Sequence, residues 1–404
     1  MALEPLLPHP RRFLKDRPLV TKPRDLAVVG AGVFGLSLAR AAVARGLSVV
    51  VIEERAVGAG ASGGVLGALM PHMPARWNAK KAFQFEALTT LAGHVAALEA
   101  ETGLATGYRR CGRVMPIATA DRRAHHLERA EESRLRWRTD ETGYAYRVEE
   151  AGAHARWLAP ETAPFGVVVE TLAARVSPRC YLAALAASVG ARAEILVGRA
   201  FAGFDEAAGR VRLADGTTLA ARSLALANGY RAFAAIEALS ESRSETLSEA
   251  LDGRGIGAGE KGQALLLEGG GLEAMPAVYC DGLYVVPHDD GTVAVGSTAD
   301  ADLSDPRPDP AQTAALLSRA RAFCPALEGC ALLEAWAGIR PKPAARDPLV
   351  GLLPGCRQVF AATGGFKIGF AIAHLVADAL AAEIAGEAAR VALPPSFRPA
   401  HHVG

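Results

Sequence analysis

DLAVVGAGVFGLSLARAAVARGLSVVVIEE (Asp25–Glu54) is the stretch that decides the fold. A short apolar run, Leu26–Val29, ends on the glycine pattern GAGVFG at Gly30–Gly35. A helical pattern of apolar residues follows, and a second apolar run, Ser48–Ile52, ends at Glu53. The order strand, glycine turn, helix, strand and acid is typical of a unit that binds a dinucleotide.

Each glycine of this turn has its own physical role. Gly30 permits the tight turn, Gly32 lets the backbone approach a pyrophosphate, and Gly35 lets helix and strand pack closely. The start of the helix presents free N–H groups and a partial positive charge to the phosphates. Glu53 can accept hydrogen bonds from a ribose diol and disfavours a 2′-phosphate, so FAD or NAD fits better than NADP.

The segment after this acid, Glu54–Leu69, favours FAD over NAD. It is a long loop of glycine and small residues, where a simple NAD dehydrogenase would continue into another helix–strand crossover. Such a loop can pass under a bulky ring system with its backbone amides. A second glycine-led helix start, GGFKIG at Gly364–Gly369, would point its N-terminus at the flavin edge that becomes negative on reduction.

The bulk composition limits the classes to which this chain of 404 residues can belong. Its net charge of +1 gives no sign of a nucleic-acid surface, and its length predicts two or three lobes. The six cysteines form no CxxC pair and no metal-ligand spacing, so we expect neither a disulfide framework nor a metal site. No apolar run reaches the ~20 residues that cross a bilayer, and no secretory signal is evident. We therefore expect a cytoplasmic protein without a membrane span.

The chain resembles the FAD-dependent amine and amino-acid oxidases, a family that includes glycine oxidase, D-amino-acid oxidase and sarcosine oxidase. The resemblance covers nearly all of Arg24–Glu387. Besides the first glycine turn, four motifs carry it in the order that the family shows: AARVSPRCYLAALAASVGARAEI (173–195), GRVRLADGTTLAARSLALANGY (209–230), GLYVVPHDDGTVAVGST (282–298), and WAGIRPKPAARDPLVG with VFAATGGFKIGF (336–370).

The resemblance implies a mixed α/β fold with two domains. A Rossmann-type FAD-binding domain is expected to be discontinuous, at 24–101, 167–230 and 334–388. A mostly antiparallel substrate-binding domain would be built from 102–166 and 231–333. The remaining ends would form an N-terminal arm, 1–23, and a C-terminal tail, 389–404. Within the substrate domain, 240–260 is either a mobile loop over the active site or a surface insertion.

The resemblance also implies non-covalent FAD. Sarcosine oxidases tether the flavin through a cysteine, and 342–348, where it would lie, contains none. The residues expected to hold the cofactor are Gly30, Gly32, Val33, Phe34, Gly35, Glu53, Glu54, Ala61, Ser62, Leu66, Gly67, Ala68, Leu69, Ala200, Ala227, Gly229, Gly364, Gly365, Phe366, Lys367, Ile368 and Gly369.

Four residues are implied for the substrate. Arg340, in a W-x-G-x-R-P motif, would grip a carboxylate, because a guanidinium makes two parallel bonds to it. Lys367 would either assist carboxylate binding or face the flavin C2 carbonyl. Tyr284 and Tyr279 would line the pocket, or are half-buried sheet tyrosines.

These residues lead to a functional hypothesis. The enzyme would oxidise the C–N bond of a small amino acid or N-substituted glycine by hydride transfer to flavin N5, and water would hydrolyse the imine. Such chemistry needs orientation rather than a dedicated catalytic side chain. Ala294 stands where sarcosine oxidases have an oxygen-activating lysine, so the electron acceptor is O₂ or another molecule.

Two alternatives remain open. GALMPHMPARWNAKKAFQF (67–85) is similar to a region in the oxidase half of the bifunctional enzyme that matures the tRNA wobble uridine. That half removes a carboxymethyl group from an amine, and Arg76, Lys80 and Lys81 could contact phosphates. The near-neutral charge makes a large RNA surface unexpected. The other alternative is a flavoprotein subunit that needs a partner protein for electron transfer.

Overall fold

The structure of the chain is a computed structural model, which describes residues 22–150, 152, 154–241 and 255–402. Most of the arm 1–23 and most of the segment 240–260 therefore lie outside the described residues. The described end of that segment begins a long strand at Gly257.

The described residues contain strands that we number in chain order: β1 (Arg24–Val29), β2 (Val49–Glu53), β3 (Ala68–Leu69), β4 (Arg113–Pro116), β5 (Tyr146–Glu149), β6 (Val167–Glu170), β7 (Ala174–Arg175), β8 (Glu194–Val197), β9 (Phe201–Asp205), β10 (Arg210–Leu213), β11 (Thr218–Leu226), β12 (Gly257–Glu268), β13 (Ala277–Cys280), β14 (Leu283–Pro287), β15 (Thr292–Gly296), β16 (Leu332–Pro343), β17 (Leu349–Leu352) and β18 (Val359–Thr363).

The α-helices of the same residues are α1 (Val33–Ala44), α2 (Ala79–Thr102), α3 (Ala120–Arg136), α4 (Thr139–Thr142), α5 (Pro178–Gly190), α6 (Arg231–Glu241), α7 (Pro310–Phe323), α8 (Gly369–Ala385) and α9 (Pro399–His402). Helix α2 shows how the sequence sets their ends. The Asn78 side chain accepts a hydrogen bond from the Lys81 N–H at 3.0 Å, and Gly103 ends the helix in the left-handed region at φ 69°.

Sheet 1 contains the predicted dinucleotide-binding unit. Its strands run in the order β17-β18-β11-β1-β2-β8, and β10 and β9 extend it from β11. Strand β1 pairs in parallel with both β2 and β11. It is apolar and mostly buried, as expected of a parallel strand covered on both faces. Because the chain order reverses beside β1, the turn Gly30–Gly35 lies where open α/β sheets bind ligands.

Helices α1, α2, α5 and α8 form one layer on sheet 1. Helix α1 packs against α5 and α8, and α2 packs against the same two helices. Their apolar faces and the sheet form one core, with Leu36, Leu88, Leu185 and Leu380 each fully buried. The two helices that begin with glycine-rich segments, α1 and α8, are therefore direct neighbours.

Sheet 2 is mostly antiparallel. Its strands run in the order β16-β12-β15-β14-β13-β4-β6-β5, and within it only the pair β4 and β13 is parallel among the described pairings. The long strands β12 and β16 pair from Gly257 opposite Pro343 to Leu267 opposite Leu332. Strands β14 and β15 form the hairpin predicted at 282–298. The predicted fold class, mixed α/β with a dinucleotide-binding sheet and a mostly antiparallel second sheet, is confirmed.

Three elements contact a different sheet from the one predicted. Strand β6 pairs with β4 and β5 in sheet 2, although 167–230 was assigned to the FAD-binding domain. Strand β16 belongs to sheet 2, although 334–388 had the same assignment. Helix α6 packs on the sheet 1 core, although 231–333 was assigned to the other domain. Short apolar strands look alike in sequence, and long-range partners decide where they pair. The domain ranges themselves stay a prediction.

Two further observations concern the whole described chain. Among its described residues, no helix combines the length and apolar character that crossing a bilayer requires. In the described part of the chain no disulfide joins the cysteines, of which Cys324 is buried and Cys180 is exposed.

Candidate cofactor and substrate site

A cleft of about 720 Å³ lies between the two sheets. Its lining comes from the glycine turn before α1, the loop after β2, the ends of β11 and β18, the start of α8, and five strands of sheet 2. Segments that are far apart in the sequence therefore meet at one site. One end of the cleft is lined by the glycine turns and the other by strands of sheet 2.

The first glycine turn is shaped by contacts that exclude side chains. Gly30 has φ 104°, and a Cβ there would lie 2.6 Å from the Ala227 carbonyl oxygen. A Cβ at Gly35 would lie 1.9 Å from the Gly30 oxygen. The Ser62 hydroxyl accepts a hydrogen bond from the Val33 N–H at 3.1 Å, which holds the small-residue loop against the start of α1.

Glu53 is fixed at the end of β2. Its Oε2 accepts a hydrogen bond from the Ala31 N–H at 2.8 Å, and its Oε1 accepts one from the Arg55 N–H at 2.9 Å. A carboxylate has about four acceptor positions, so two remain for a ligand. Glu54 beside it forms a close ion pair with Arg231. The Glu53 carboxylate therefore has two free acceptor positions at the place where a ribose diol would bind.

The second glycine segment lies against the first. A Cβ at Gly365 would lie 2.8 Å from Cζ of Phe34, so the starts of α1 and α8 are in contact. Gly364 has φ 76° and Phe366 has φ 42°, both in the left-handed region. This tight turn exposes the N-terminus of α8 to the cleft, beside Lys367.

The residues present fit FAD. Glycine turns at two adjacent helix starts provide N–H groups and positive partial charge for anionic groups. The Asn228 Oδ1 atom, in the lining, is buried without a hydrogen-bond partner, which is a costly arrangement that a ligand donor would relieve. The two acids at the end of β2 and the glycines where backbone must approach the ligand complete a dinucleotide site.

Arg340 lies on β16 with its guanidinium in the cleft. Its Nη1 donates to the Thr298 carbonyl oxygen at 3.1 Å and lies 4.0 Å from Oε1 of Glu260. The guanidinium stacks directly over Gly262, where a Cβ would lie 1.9 Å from Cζ of Arg340. Burial lowers the pKa of Arg340, and Glu260 opposes that effect. The arginine is therefore held in place by its surroundings, yet keeps donors for an anion.

The other three predicted substrate residues line the same cleft. The Lys367 Nζ lies 5.3 Å from the centroid of the Phe366 ring. Burial lowers the pKa of Lys367, and the positive charge of Arg340 lowers it further. Tyr279 and Tyr284 face each other on β13 and β14 with ring centroids 4.8 Å apart. Burial raises the pKa of Tyr284 to about 12, so its hydroxyl keeps its proton.

The structure brings nearly all of the predicted cofactor residues to the cleft. Gly35 and Leu69 do not belong to its lining: Gly35 packs α1 on the preceding turn, and Leu69 is buried in β3. The other predicted positions line the cleft: Gly30, Gly32, Val33, Phe34, Glu53, Glu54, Ala61, Ser62, Leu66, Gly67, Ala68, Ala200, Ala227, Gly229, Gly364, Gly365, Phe366, Lys367, Ile368 and Gly369. Their individual roles toward the cofactor stay predictions.

Sequence reasoning assigned no site role to several polar or aromatic lining residues. Arg113 is an arginine in an otherwise apolar strand, a signal that could have been noticed. His72 is neutral at physiological pH because burial lowers its pKa to about 4. Trp336 packs its ring on Gly64 and Gly338, where added Cβ atoms would come within 3.0 and 2.3 Å of it.

A metal site has no support in the described ranges. Within 22–150, 152, 154–241 and 255–402, no three His, Cys, Asp or Glu side chains are grouped so that they could hold a metal ion.

Fold and cleft together indicate the class: an oxidoreductase that binds a flavin dinucleotide beside a Rossmann-type sheet. The family model described as FAD dependent oxidoreductase (DAO) matches residues 25–383. The chain belongs to this family.

Comparisons with individual proteins agree with this assignment. The chain is 25% identical to a glycine oxidase from Bacillus licheniformis over 138 residues, which cover 34% of the chain and 37% of that protein. It is 27% identical over 412 residues to the tRNA 5-methylaminomethyl-2-thiouridine biosynthesis bifunctional protein MnmC from Burkholderia pseudomallei strain 668, covering 93% of the chain and 59% of that protein. The chain thus spans less than two thirds of either curated relative.

Solved structures show the same fold at low identity. The crystal structure of glycine oxidase from Geobacillus kaustophilus matches with a TM-score of 0.81 and 21% identity, covering 95% of this chain and 100% of that one. Iminodiacetate oxidase from Chelativorans sp. BNC1 matches with a TM-score of 0.79 and 19% identity, covering 93% and 98%.

Proposed function

We propose that this enzyme oxidises the C–N bond of a small amino acid or N-substituted glycine, with non-covalently bound FAD. The observation that carries the proposal is Arg340, a mostly buried guanidinium, 14% exposed, in the same cleft as the two glycine-led helix starts. Burying a charge is costly unless it is paired, and Arg340 has one carbonyl bond and a carboxylate 4.0 Å away. A substrate carboxylate would complete its bonding.

The chain's own residues would bind and orient the substrate. FAD, when bound, would supply the two-electron oxidation of the C–N bond. Arg340 would make two parallel bonds to the carboxylate, and Lys367 would add a second positive charge. The rings of Tyr279 and Tyr284 would flank the amine substituent, and the protonated Tyr284 hydroxyl can donate or accept a hydrogen bond. Orientation of this kind accounts for much of the rate without a dedicated acid or base.

Two features support the remaining parts of the proposal. None of the six cysteines belongs to the cleft lining, which favours FAD that is not tethered through sulfur. Ala294 is fully buried in β15 and has no charge to offer to O₂, so the acceptor is either O₂ reacting without that help or another molecule. We keep the cytoplasmic location as part of the proposal.

The test is an anaerobic substrate screen of the purified holoenzyme. Glycine, sarcosine, iminodiacetate and a set of D-amino acids are added, and loss of the flavin absorbance near its visible maximum is followed. We expect at least one N-substituted glycine to bleach the flavin, and Arg340→Met to raise the required concentration at least about 100-fold through loss of a charge-assisted bidentate pair. A holoenzyme that none of these amines bleaches would contradict the proposal. Reoxidation by air then separates an oxidase from a dehydrogenase.

A second candidate function follows from the 27% identity to MnmC over 93% of the chain. In this reading the substrate is a carboxymethylaminomethyl group on tRNA. The cations near the cleft give it little support, since Lys80 already pairs with Asp347 and Lys81 donates to the Ala75 carbonyl oxygen. Flavin bleaching by tRNA that carries the group, with unmodified tRNA as the control, decides between the two functions.

A further inference from the structure

Arg113 is a second arginine in the cleft, on the sheet 2 strand β4, and the proposed function does not use it. It is 4% exposed and belongs to the cleft lining. Its guanidinium lies 5.8 Å from the centroid of the Tyr279 ring, and Nη2 donates to the Pro71 carbonyl oxygen over a long 3.4 Å. The neighbouring His72 also lines the cleft, with a buried Nδ1 atom that has no hydrogen-bond partner.

Glu170 does not use up the donors of Arg113. Its Oε2 lies 3.3 Å from Nε of Arg113, without the geometry of a hydrogen bond, and Nε is left unpartnered. The other oxygen, Oε1, already accepts hydrogen bonds from the Ala173 and Leu172 N–H groups. An arginine has five N–H donors, so Arg113 keeps donors that Glu170 does not satisfy.

Arg113 and Arg340 belong to one wall of the cleft. In the sheet order, Arg340 lies on the edge strand β16 and Arg113 on the inner strand β4, with β12, β15, β14 and β13 between them. The ring pair Tyr279 and Tyr284 lies between them: Arg113 is over Tyr279, and both arginines lower the pKa of Tyr284, against the larger effect of burial. A ligand along this wall would therefore meet a guanidinium at each end.

We infer that Arg113 binds a second acidic group of the substrate, so that the cleft takes amino acids with a carboxylate on the nitrogen substituent as well as the one at Arg340. This inference rests on the proposed function. It assigns the two tyrosine rings to the carbon chain between the acids, and His72 Nδ1 to a hydrogen bond with the second acid or its water. A simple monocarboxylic amine would leave the donors of Arg113 unused.

The experiment compares matched acids on the holoenzyme. Binding of malonate, glutarate and acetate is measured by calorimetry, and turnover is measured with iminodiacetate, sarcosine and N-ethylglycine. The test variant is Arg113→Met with Glu170→Gln, since removing one partner alone would leave a buried charge unpaired. The control is Arg175→Met, which removes an equally buried arginine that pairs with Asp289 and does not line the cleft.

We expect the wild-type holoenzyme to prefer the diacids. The affinity for diacids relative to monoacids should fall about 10- to 100-fold in the double variant, which is the effect of one lost charge-assisted contact. The kcat/KM for iminodiacetate relative to that for sarcosine should fall by the same factor. Both ratios should stay unchanged in Arg175→Met. Equal affinity for mono- and diacids in the wild type, or a preference that survives in the double variant, would overturn the inference.

Failure of this inference is distinguishable from failure of the proposed function. Selective binding of malonate or glutarate by a holoenzyme that oxidises no amine would uphold the second anion site and contradict the amine chemistry. Oxidation of sarcosine without any preference for diacids would uphold the amine chemistry and reduce Arg113 to a structural partner of Glu170.

Discussion

At the residue scale, the position of the Arg340 side chain depends on Gly262, which has no Cβ atom to block it. Gly262 on β12 lies opposite Gly338 on β16, and the guanidinium occupies the space of the missing Cβ. Glu260, which pairs closely with Lys342, lies beside the guanidinium. Arg340 is thus placed by its neighbours on β12 as much as by its own strand.

Gly262→Ala should therefore remove carboxylate binding without unfolding the protein. The added methyl group displaces only the end of a flexible side chain, so the cost in stability is small, but the guanidinium leaves the cleft wall. We expect the KM for the amino acid to rise at least about tenfold, the size of one lost charge-assisted contact, with the flavin still bound. Gly270→Ala is the matched control, because a Cβ there meets nothing within 4 Å. Equal KM values for Gly262→Ala and Gly270→Ala would contradict the role given to Gly262 in placing Arg340.

The position of a single residue near the cleft could be predicted where only one residue type meets the physical requirement. The glycines of the turns and the acids after β2 follow from backbone geometry and charge, and they lie at the cleft. Arg113 is unusual in its apolar strand, but its place beside the cleft depends on the long-range pairing of β4 with β13, which the local sequence does not show. The spacing of residues along the sequence does not show which segments lie beside each other in the fold.

At the scale of elements, α1 requires close packing on the turn before it. A Cβ on Gly35 would meet the Gly30 backbone oxygen at 1.9 Å, and backbone cannot move aside cheaply. We predict that Gly35→Ala is purified without flavin and with a lower Tm. Gly93→Ala on α2, where a Cβ meets nothing within 4 Å, should gain up to about 1 kcal/mol from helix propensity and keep its flavin. A yellow Gly35→Ala protein of normal Tm would contradict this account of the turn.

The contact between α2 and α8 should make stability depend on pH. His94 and His374 lie there with ring centroids 4.9 Å apart, and Thr90 Oγ1 is 3.0 Å from Nε2 of His374. Burial lowers the pKa of both, that of His94 to about 4. The unfolded chain takes up protons below its ordinary pKa of about 6.5 while the folded chain does not, so stability is complete above that pH and falls toward pH 4.

His374→Gln tests this pair, since it keeps a partner for Thr90 and removes one titrating group. Between pH 6.5 and 4 the free energy of unfolding should fall less steeply than in the wild type, by up to about 1.4 kcal/mol per pH unit. Urea unfolding at several pH values measures the slope. His125→Gln, at an exposed position of α3, should leave the slope unchanged. Parallel curves for wild type and His374→Gln would rule out the pair as a source of the dependence.

Elements differ in how far their sequence determines their neighbours. The β1–α1–β2 unit is local, and its pairing follows from one continuous stretch. Strands β6 and β16 have partners that lie far away in the chain, so their pairing in sheet 2 does not follow from their local sequence. Helix α6 is a local case, since it follows β11 directly and packs on the core of the same sheet.

At the scale of the whole molecule, the cleft joins two sheets that are each built from discontinuous segments. A ligand that reaches from the first glycine turn to the second contacts both helix starts and the wall of sheet 2. Because any ligand that binds only the folded protein raises the free energy of unfolding, contacts at both ends of this ligand stabilise the folded state. Each half of the ligand alone would contact only part of this arrangement.

This argument predicts how stability responds to the parts of the cofactor. FAD at 100 times its Kd should raise the free energy of unfolding of the flavin-stripped protein by about 2.7 kcal/mol, while FMN or ADP at the same concentration should raise it far less, since each lacks one end. Thermal unfolding with each compound measures the effect. Heating the holoenzyme should also release its colour into the supernatant, as no cysteine lines the cleft to hold it. Stabilisation by FMN equal to that by FAD would show that the first glycine turn does not bind the ADP half, and colour that stays with the precipitate would show a covalent bond.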